Sequence, residues 1–295
     1  MKTKVITGLA FFIAILSSCQ KEFSFDGANP SANLIDGSYI NKIYYDTLNI
    51  ATNKYDTITS VNFFYDNLKR VTSVKFIDEI QNSLFQEFQF FYTNNDTLPF
   101  KSVETISLLV PMITTTYHFF NAQGQKQMDS VLYYNGDTII RHYTYLPGKM
   151  VCMNVQRPQF SAVDTFQIDT AKIDTRGNVI NYIRYSHDTN NPNNPLLIFT
   201  YEVNNTYDNN VNPLYTISCT KASNPLTNYY GGNILDRTSP NNLVTTQEIY
   251  YTLNTYTYNT LFFYTYKPNG LVEKMTETYD NTPGHDRALF SYIHL

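Results

Sequence analysis

From Tyr39 onward, apolar and polar positions alternate in short runs, and Asn, Asp, Gly or Pro cut the runs at short intervals. In VNFFYD, Val61, Phe63 and Tyr65 point one way while Asn62, Phe64 and Asp66 point the other. A period of two is the mark of a strand whose two faces meet different surroundings. Ala and Leu are sparse, which disfavours long helices. The pattern predicts an all-β, many-stranded antiparallel meander of β-hairpins, forming a curled sheet or an open barrel-like domain over residues 39–295.

A loose repeat supports that reading. The stretches 61–76, 117–134, 171–185 and 262–279 share one plan: a strand, most often aromatic-rich, a few polar residues, a turn residue and a second strand. The turn residue is Gly124, Gly177 or Gly270, with Lys69 in its place in the first unit. A tight loop ending in a left-handed residue explains glycine there, because glycine adopts positive φ without a Cβ clash. Lys69 at that position costs about 1 kcal/mol. Further hairpins fall between these units: 88–105, which has no Gly, and 130–145, turning at Asn135-Gly136.

The alternation is imperfect. Phe64, Phe90-Phe91, Phe119-Phe120 and Phe262-Phe263 put aromatics on nominally polar faces. The simpler expectation is that strand centres are covered on both faces, by a sheet that curls on itself or by loops packed over it. The alternative is an aromatic binding face.

Composition sharpens the class. Tyr (26) and Phe (20) are abundant and Trp is absent. Charged residues make up 16% and the net charge is −4. No block of Lys or Arg offers a nucleic acid its electrostatic footprint, so no nucleic-acid partner is expected.

The first residues carry a different signal. Lys2 and Lys4 precede an apolar run from Val5 to Leu16. That run is too short for a membrane span, which needs roughly 20 residues, and has the form of a secretory signal. Leu16-Ser17-Ser18-Cys19 resembles the bacterial lipobox. The resemblance implies removal of residues 1–18, acylation of Cys19 and attachment to a membrane through the N-terminal lipid. The alternative is an ordinary secretory signal with an incidental cysteine. Residues 19–38 read as the lipidated cysteine and a flexible tether. Gln20 is not Asp, so an inner-membrane retention signal is absent and the expected location is the outer membrane. Gln20-Lys21-Glu22 is similar to a partial surface-export signal, which leaves the periplasmic and cell-surface faces both open.

The hairpins of the form [Tyr/Phe]-[Asp/Asn]-x-x-Gly-x-[Val/Leu], together with TYDNNVNPLY (206–215) and SPNNLVT (239–245), resemble the YD-type β-repeats of uncharacterised Bacteroidota lipoproteins. The resemblance covers most of the mature chain. It implies a meandering antiparallel sheet on a lipid anchor, and it implies no activity. Lys69 and the missing Gly in 88–105 depart from the pattern.

Candidate chemistry is thin. None of His118, His142, His187, His285 and His294 has a His partner at the helical i, i+4 spacing of a zinc site. No Gly-x-Ser-x-Gly elbow, P-loop or Cys-x-x-Cys occurs. His118 and His142 are expected to be packed or surface residues of strands. Glu273 and Glu277 are expected to share one exposed strand face, too far apart for a glycosidase pair. Asn- and Asp-rich loops such as 207–210 read as turns rather than calcium loops. Beyond Cys19, Cys152 and Cys219 form an even pair, open to a disulfide in an oxidising compartment or to two separate buried thiols. The segment 220–240 is unusually long. Its Tyr229 and Tyr230 could stack on sugar rings, or its Leu226, Ile234 and Leu235 could plug the end of the sheet. No cofactor, metal or catalytic residue is expected. The expected role is non-enzymatic binding or scaffolding at the envelope, with a glycan or another envelope protein as partner. A glycan-binding accessory lipoprotein is the first alternative and a hydrolase the second; the hydrolase would need two carboxylates or a His–carboxylate pair converging in one cleft.

Overall fold

The computed structural model describes residues 37–49, 51–157, 164–187, 197–215, 217, 239–251, 255–280 and 286–295. The signal segment, Cys19, the tether before Gly37, Cys219, and Tyr229 and Tyr230 lie outside the described residues.

Among the described residues sixteen strands follow one another: β1 (Ser38–Asn49), β2 (Lys54–Tyr65), β3 (Val71–Asp78), β4 (Ser83–Phe91), β5 (Lys101–Ile106), β6 (Met112–Phe120), β7 (Lys126–Leu132), β8 (Thr138–Leu146), β9 (Lys149–Arg157), β10 (Asp164–Ile173), β11 (Val179–His187), β12 (Leu197–Val211), β13 (Asn241–Tyr251), β14 (Thr255–Tyr266), β15 (Val272–Tyr279) and β16 (Asp286–His294). Each pairs antiparallel with its sequence neighbour, and β1 pairs with β16 from Ser38↔His294 to Thr47↔Asp286. The sheet is therefore a closed meander barrel, and closure leaves none of the described strands as an edge to pair with another molecule.

The repeat is a turn with a defined hydrogen-bond plan. Lys69 N–H donates to Asp66 O and Asp66 N–H to Arg70 O; the same two bonds recur at Asn121/Gly124/Gln125, Asp174/Gly177/Asn178 and Lys267/Gly270/Leu271. Lys69, Gly124, Gly177 and Gly270 have φ of 63, 77, 92 and 82°. The Asp or Asn that opens the turn has a physical role. Asp66 Oδ1 accepts from the amides of Leu68 and Arg70, Asn121 Oδ1 from Gln123 and Gln125, and Asp174 Oδ1 from Arg176 and Asn178. One short side chain thus satisfies two amides that the turn would leave unpaired.

In all four hairpins the register then skips one residue: Thr72, Gln127, Ile180 or Glu273. The repeat is a turn plus a β-bulge, and the bulge inverts the in/out parity of the strand that follows. This corrects the expectation for Glu273 and Glu277. Glu273 is the exposed bulge residue, whereas Glu277, opposite Phe262, is buried.

The repeat turns sit on one rim, which also holds Ser38 and His294. Tyrosines tie that rim together: the hydroxyls of Tyr65, Tyr92, Tyr207, Tyr264 and Tyr292 donate to the carbonyls of Ile40, Val71, Val179, Leu243 and Val272. The 206–215 and 239–245 motifs form a clasp there. Asn178 Oδ1 accepts from Asn241 N–H, Ser239 Oγ from Val179 N–H, and Ser239 O from Asn212 Nδ2. The clasp turns the start of the β12–β13 crossover inward.

Two apolar clusters fill the barrel. The larger joins Ile40, Ile43, Val61, Phe63, Val74 and Phe76 with Phe262, Met275 and Phe290, and Leu214 and Ile217 of the crossover reach into it. The smaller joins Met150, Cys152, Ala171, Tyr182 and Val203. Leu226, Ile234 and Leu235, expected as a plug, lie outside the described residues, but the head of the same crossover packs into the core.

The expectation that strand centres are covered on both faces does not hold. Phe64, Phe119 and Phe263 are 47, 46 and 54% exposed on the outer wall. Their neighbours in sequence, Phe63 and Phe262, fill the interior.

Candidate functional site

Where apolar side chains give way in the interior, charged ones take over, on the inner face of β5–β12. Ser102 on β5, His118 on β6 and Asp129 on β7 form a chain of contacts. Ser102 Oγ lies 2.9 Å from His118 Nε2, and His118 Nδ1 lies 2.7 Å from Asp129 Oδ1. Asp129 Oδ2 also accepts from Lys126 Nζ at 3.2 Å and from the Tyr143 hydroxyl at 2.8 Å. His118, Lys126, Asp129 and Tyr143 are all buried. Burial raises the Asp129 carboxyl, but the Lys126 charge and the His118 hydrogen bond outweigh it and hold the group at about 2. Burial, and then the charge of Lys126, lower the His118 imidazole below its ordinary value.

Two further groups continue the lining. Asp169 accepts from Arg184 Nε at 3.0 Å, Gln167 Nε2 at 2.6 Å and Asn154 Nδ2 at 3.3 Å, and Arg184 Nη2 donates to the Tyr182 hydroxyl at 2.7 Å. Glu248 Oε2 accepts from the hydroxyls of Tyr201 and Tyr250, each at 2.8 Å.

The Ser–His–Asp order is the contact plan of a nucleophile, base and orienting acid. The surroundings oppose that chemistry on two counts. Acyl transfer needs unpaired N–H donors aimed at the developing oxyanion, yet β5 is laddered along its whole length to both β4 and β6. The base must also become an imidazolium, and the buried site with the Lys126 ammonium beside it disfavours that charge. Asp129 meanwhile divides its acceptor capacity among three donors.

His118, expected as a packed or surface strand residue, is buried. Its pairing with Asp129 is a feature the sequence reading lacks. The turn at Asn121–Gln125 sets Phe120 opposite Lys126, and the bulge at Gln127 then brings residues 118 and 129 opposite each other; the turn is marked in the chain and the bulge is not. The Ser102 contact depends on the β5–β6 register, which no short turn fixes. Cys152 is a free, buried thiol, pushed up to about 12 by burial and by Asp169. Its candidate partner Cys219, like the candidate glycan residues Tyr229 and Tyr230, lies outside the described residues. Asp208, in the Asn-rich 207–210 stretch, is engaged by Tyr266, Asn242 and the Asn210 amide. Among the described residues no three His, Cys, Asp or Glu side chains are grouped to hold a metal.

The same strands differ on the outside. Register places Lys42, Asp46, Lys75, Glu87 and Arg287 on the outer face of β1–β4 and β16, with Glu79 at its margin and Asp46 itself buried. They pair as Lys42–Glu79 at 3.1 Å, Lys75–Glu87 at 3.5 Å and Arg287–Asp46 at 2.9 Å. From β5 to β11 the pattern reverses. Glu104, Asp129 and Asp169 all point inward, and no described acidic side chain on these strands points out. The outer wall there carries Ile113, Tyr117, Phe119, Leu132, Met153 and Tyr185. The side formed by β16 and β1–β4 is apolar inside and charged outside, whereas the β5–β11 side is largely apolar outside and turns its described acidic groups inward, beside the smaller apolar cluster.

No family model matches the chain, and no curated protein matches it. Among solved structures, the chain is similar to a porin-like protein from Bacteroides vulgatus ATCC 8482, with 13% identity, 88% of this chain and 100% of that chain covered, and a TM-score of 0.50. It is also similar to a porin-like protein from Bacteroides uniformis ATCC 8492, with 14% identity, 86% and 96% covered, and a TM-score of 0.47. At 13% identity the first likeness concerns the fold: a closed, all-β barrel.

Proposed function

We propose that this chain is an outer-membrane envelope barrel, anchored through acylated Cys19, that binds or scaffolds without catalysing a reaction. The likeness to a porin-like barrel and the Leu16–Cys19 motif support the location. The observation that carries the non-enzymatic reading is the state of the interior charges. Asp129 and Asp169 each accept from three donors of the barrel itself and Glu248 Oε2 from two, so these carboxylates are engaged in holding the barrel's own side chains. Metabolic labelling with an alkyne-bearing fatty acid tests the anchor: label should appear on the wild type and vanish in Cys19→Ala. Equal labelling of both would remove the anchor from the account.

One observation favours a second reading, the Ser102–His118–Asp129 contact chain of a hydrolase. A fluorophosphonate probe separates the two. Covalent labelling of Ser102, lost in His118→Ala, would establish the hydrolase and end the non-catalytic reading; an unlabelled Ser102 in folded protein supports it.

A further inference from the structure

We infer that the outer wall of β5–β11 is a lipid-docking surface that lies against an anionic bilayer leaflet. The inference takes its envelope setting from the proposed function, and adds a membrane contact that needs no acyl chain.

Three features point to lipid. The first is the inversion itself. A wall facing hydrocarbon must be apolar outside and carry its ionised groups within. On β5–β11, Glu104, Lys126, Asp129, Arg141, Asp169 and Arg184 all turn inward. The second is size. Seven adjacent strands span about 34 Å around the barrel, and Ile113 to Phe119 runs about 20 Å along it. Patches on monomers seldom exceed a few hundred Å². The third is charge. Among the described side chains of this wall, the outward lysines are Lys101, Lys149 and Lys172, which gather at the repeat rim. A lysine row beside an apolar, acid-free wall matches lipid phosphates above acyl chains. It gives a second copy of the same wall nothing of opposite sign to meet.

The charged half of the barrel limits how deep the contact goes. Each Lys or Arg at a bilayer midplane costs about 2–4 kcal/mol. Lys42, Lys75, Lys274 and Arg287 on the opposite wall therefore keep it in water. The barrel rests on the membrane by one side and does not cross it. Ser38 enters β1 at the lysine rim, so an anchor before it reaches the same surface.

The absence of Trp makes the test direct. Phe119 on the inverted wall and Phe263 on β14, outside that wall, are similarly exposed, at 46 and 54%, near the same rim. Phe119→Trp and Phe263→Trp are made separately in the mature chain with Cys19→Ser, so that no acyl chain contributes. Each variant then carries a single indole. With phosphatidylethanolamine/phosphatidylglycerol vesicles, indole emission of the Phe119→Trp variant should shift to the blue and be quenched by brominated acyl chains. Emission of the Phe263→Trp variant should stay unchanged. Replacing Lys101, Lys149 and Lys172 together by Glu should weaken binding at least about 100-fold; circular dichroism checks that this variant folds. Equal response of both probes, or no response of either, overturns the proposal. A Phe119→Trp shift that grows with protein concentration without lipid overturns it in favour of self-association. Loss of acylation in cells with vesicle binding intact would fault the anchor alone.

Discussion

Replacing Asp129 by Ala probes the interior most sharply. The carboxylate is the common acceptor for His118, Lys126 and Tyr143, and all four side chains are buried. Removing it strands the Lys126 ammonium without its anion. Breaking a buried pair from one side costs about 3–5 kcal/mol, because an uncompensated charge remains. The two neutral donors add to that, so the expected loss is about 4 kcal/mol or more. Lys126→Met in the same background should recover most of it, since a pair replaced by apolar groups is close to neutral. The assay is urea unfolding of the unacylated mature chain, followed by tyrosine near-ultraviolet and backbone circular dichroism. A loss below about 1 kcal/mol would mean that water reaches Asp129. The description of a closed, filled barrel interior would then be wrong.

The pH dependence follows from the same carboxylate. Its folded value is lowered from 3.8 to about 2, so its contribution is present above 3.8 and is lost as pH falls towards about 2. The loss amounts to about 2 kcal/mol and should be missing from the acid titration of Asp129→Asn. Gly177→Ala should destabilise by about 1–2 kcal/mol in thermal unfolding, because φ is +92° and the added Cβ would meet Pro240 Cγ at 3.4 Å. Lys69→Gly, which relieves the one side chain at the left-handed repeat position, should raise the melting temperature. Tyr65→Phe removes the hydroxyl bond to Ile40 O and should cost about 1 kcal/mol in urea unfolding. Cys152, buried and held near 12, should resist iodoacetamide at pH 8 in the native protein and react in urea, as peptide mapping will read.

The hairpins can be read from the chain because their cause is local. A turn residue at positive φ and an Asp or Asn capping two amides are properties of five consecutive residues, and Asp66–Arg70, Asn121–Gln125 and Asp174–Asn178 all carry them. The bulge that follows is equally regular, falling on Thr72, Gln127, Ile180 and Glu273, but no side-chain preference marks it. Overlooking it inverts the parity of each strand and puts Glu277 on the wrong face. Closure depends on the register of β1 against β16, at opposite ends of the described chain, and nothing local encodes it. The outward aromatics are harder still. Phe64 and Phe119 both break the alternation, yet Phe64 lies under Lys75 on the charged half while Phe119 stands on the acid-free wall. That distinction emerges only when neighbouring strands are placed side by side. The interior site is less legible: His118 meets Asp129 only through the turn and the unmarked bulge at Gln127 together, and Ser102 joins them through the β5–β6 register, which no short turn fixes.

The central claim is that the barrel has two outer walls, one for lipid and one for water. Thr144 on β8 and Thr276 on β15 face outward on the two walls. Each is replaced by Cys, with Cys219→Ser removing the competing thiol, and labelled with a nitroxide on the acylated protein in isolated membranes. Collision with oxygen, which concentrates in hydrocarbon, is compared with collision with a water-soluble nickel chelate. The label at 144 should be reached by oxygen and shielded from nickel, and the label at 276 should show the reverse. Equal access of nickel to both positions would contradict the account.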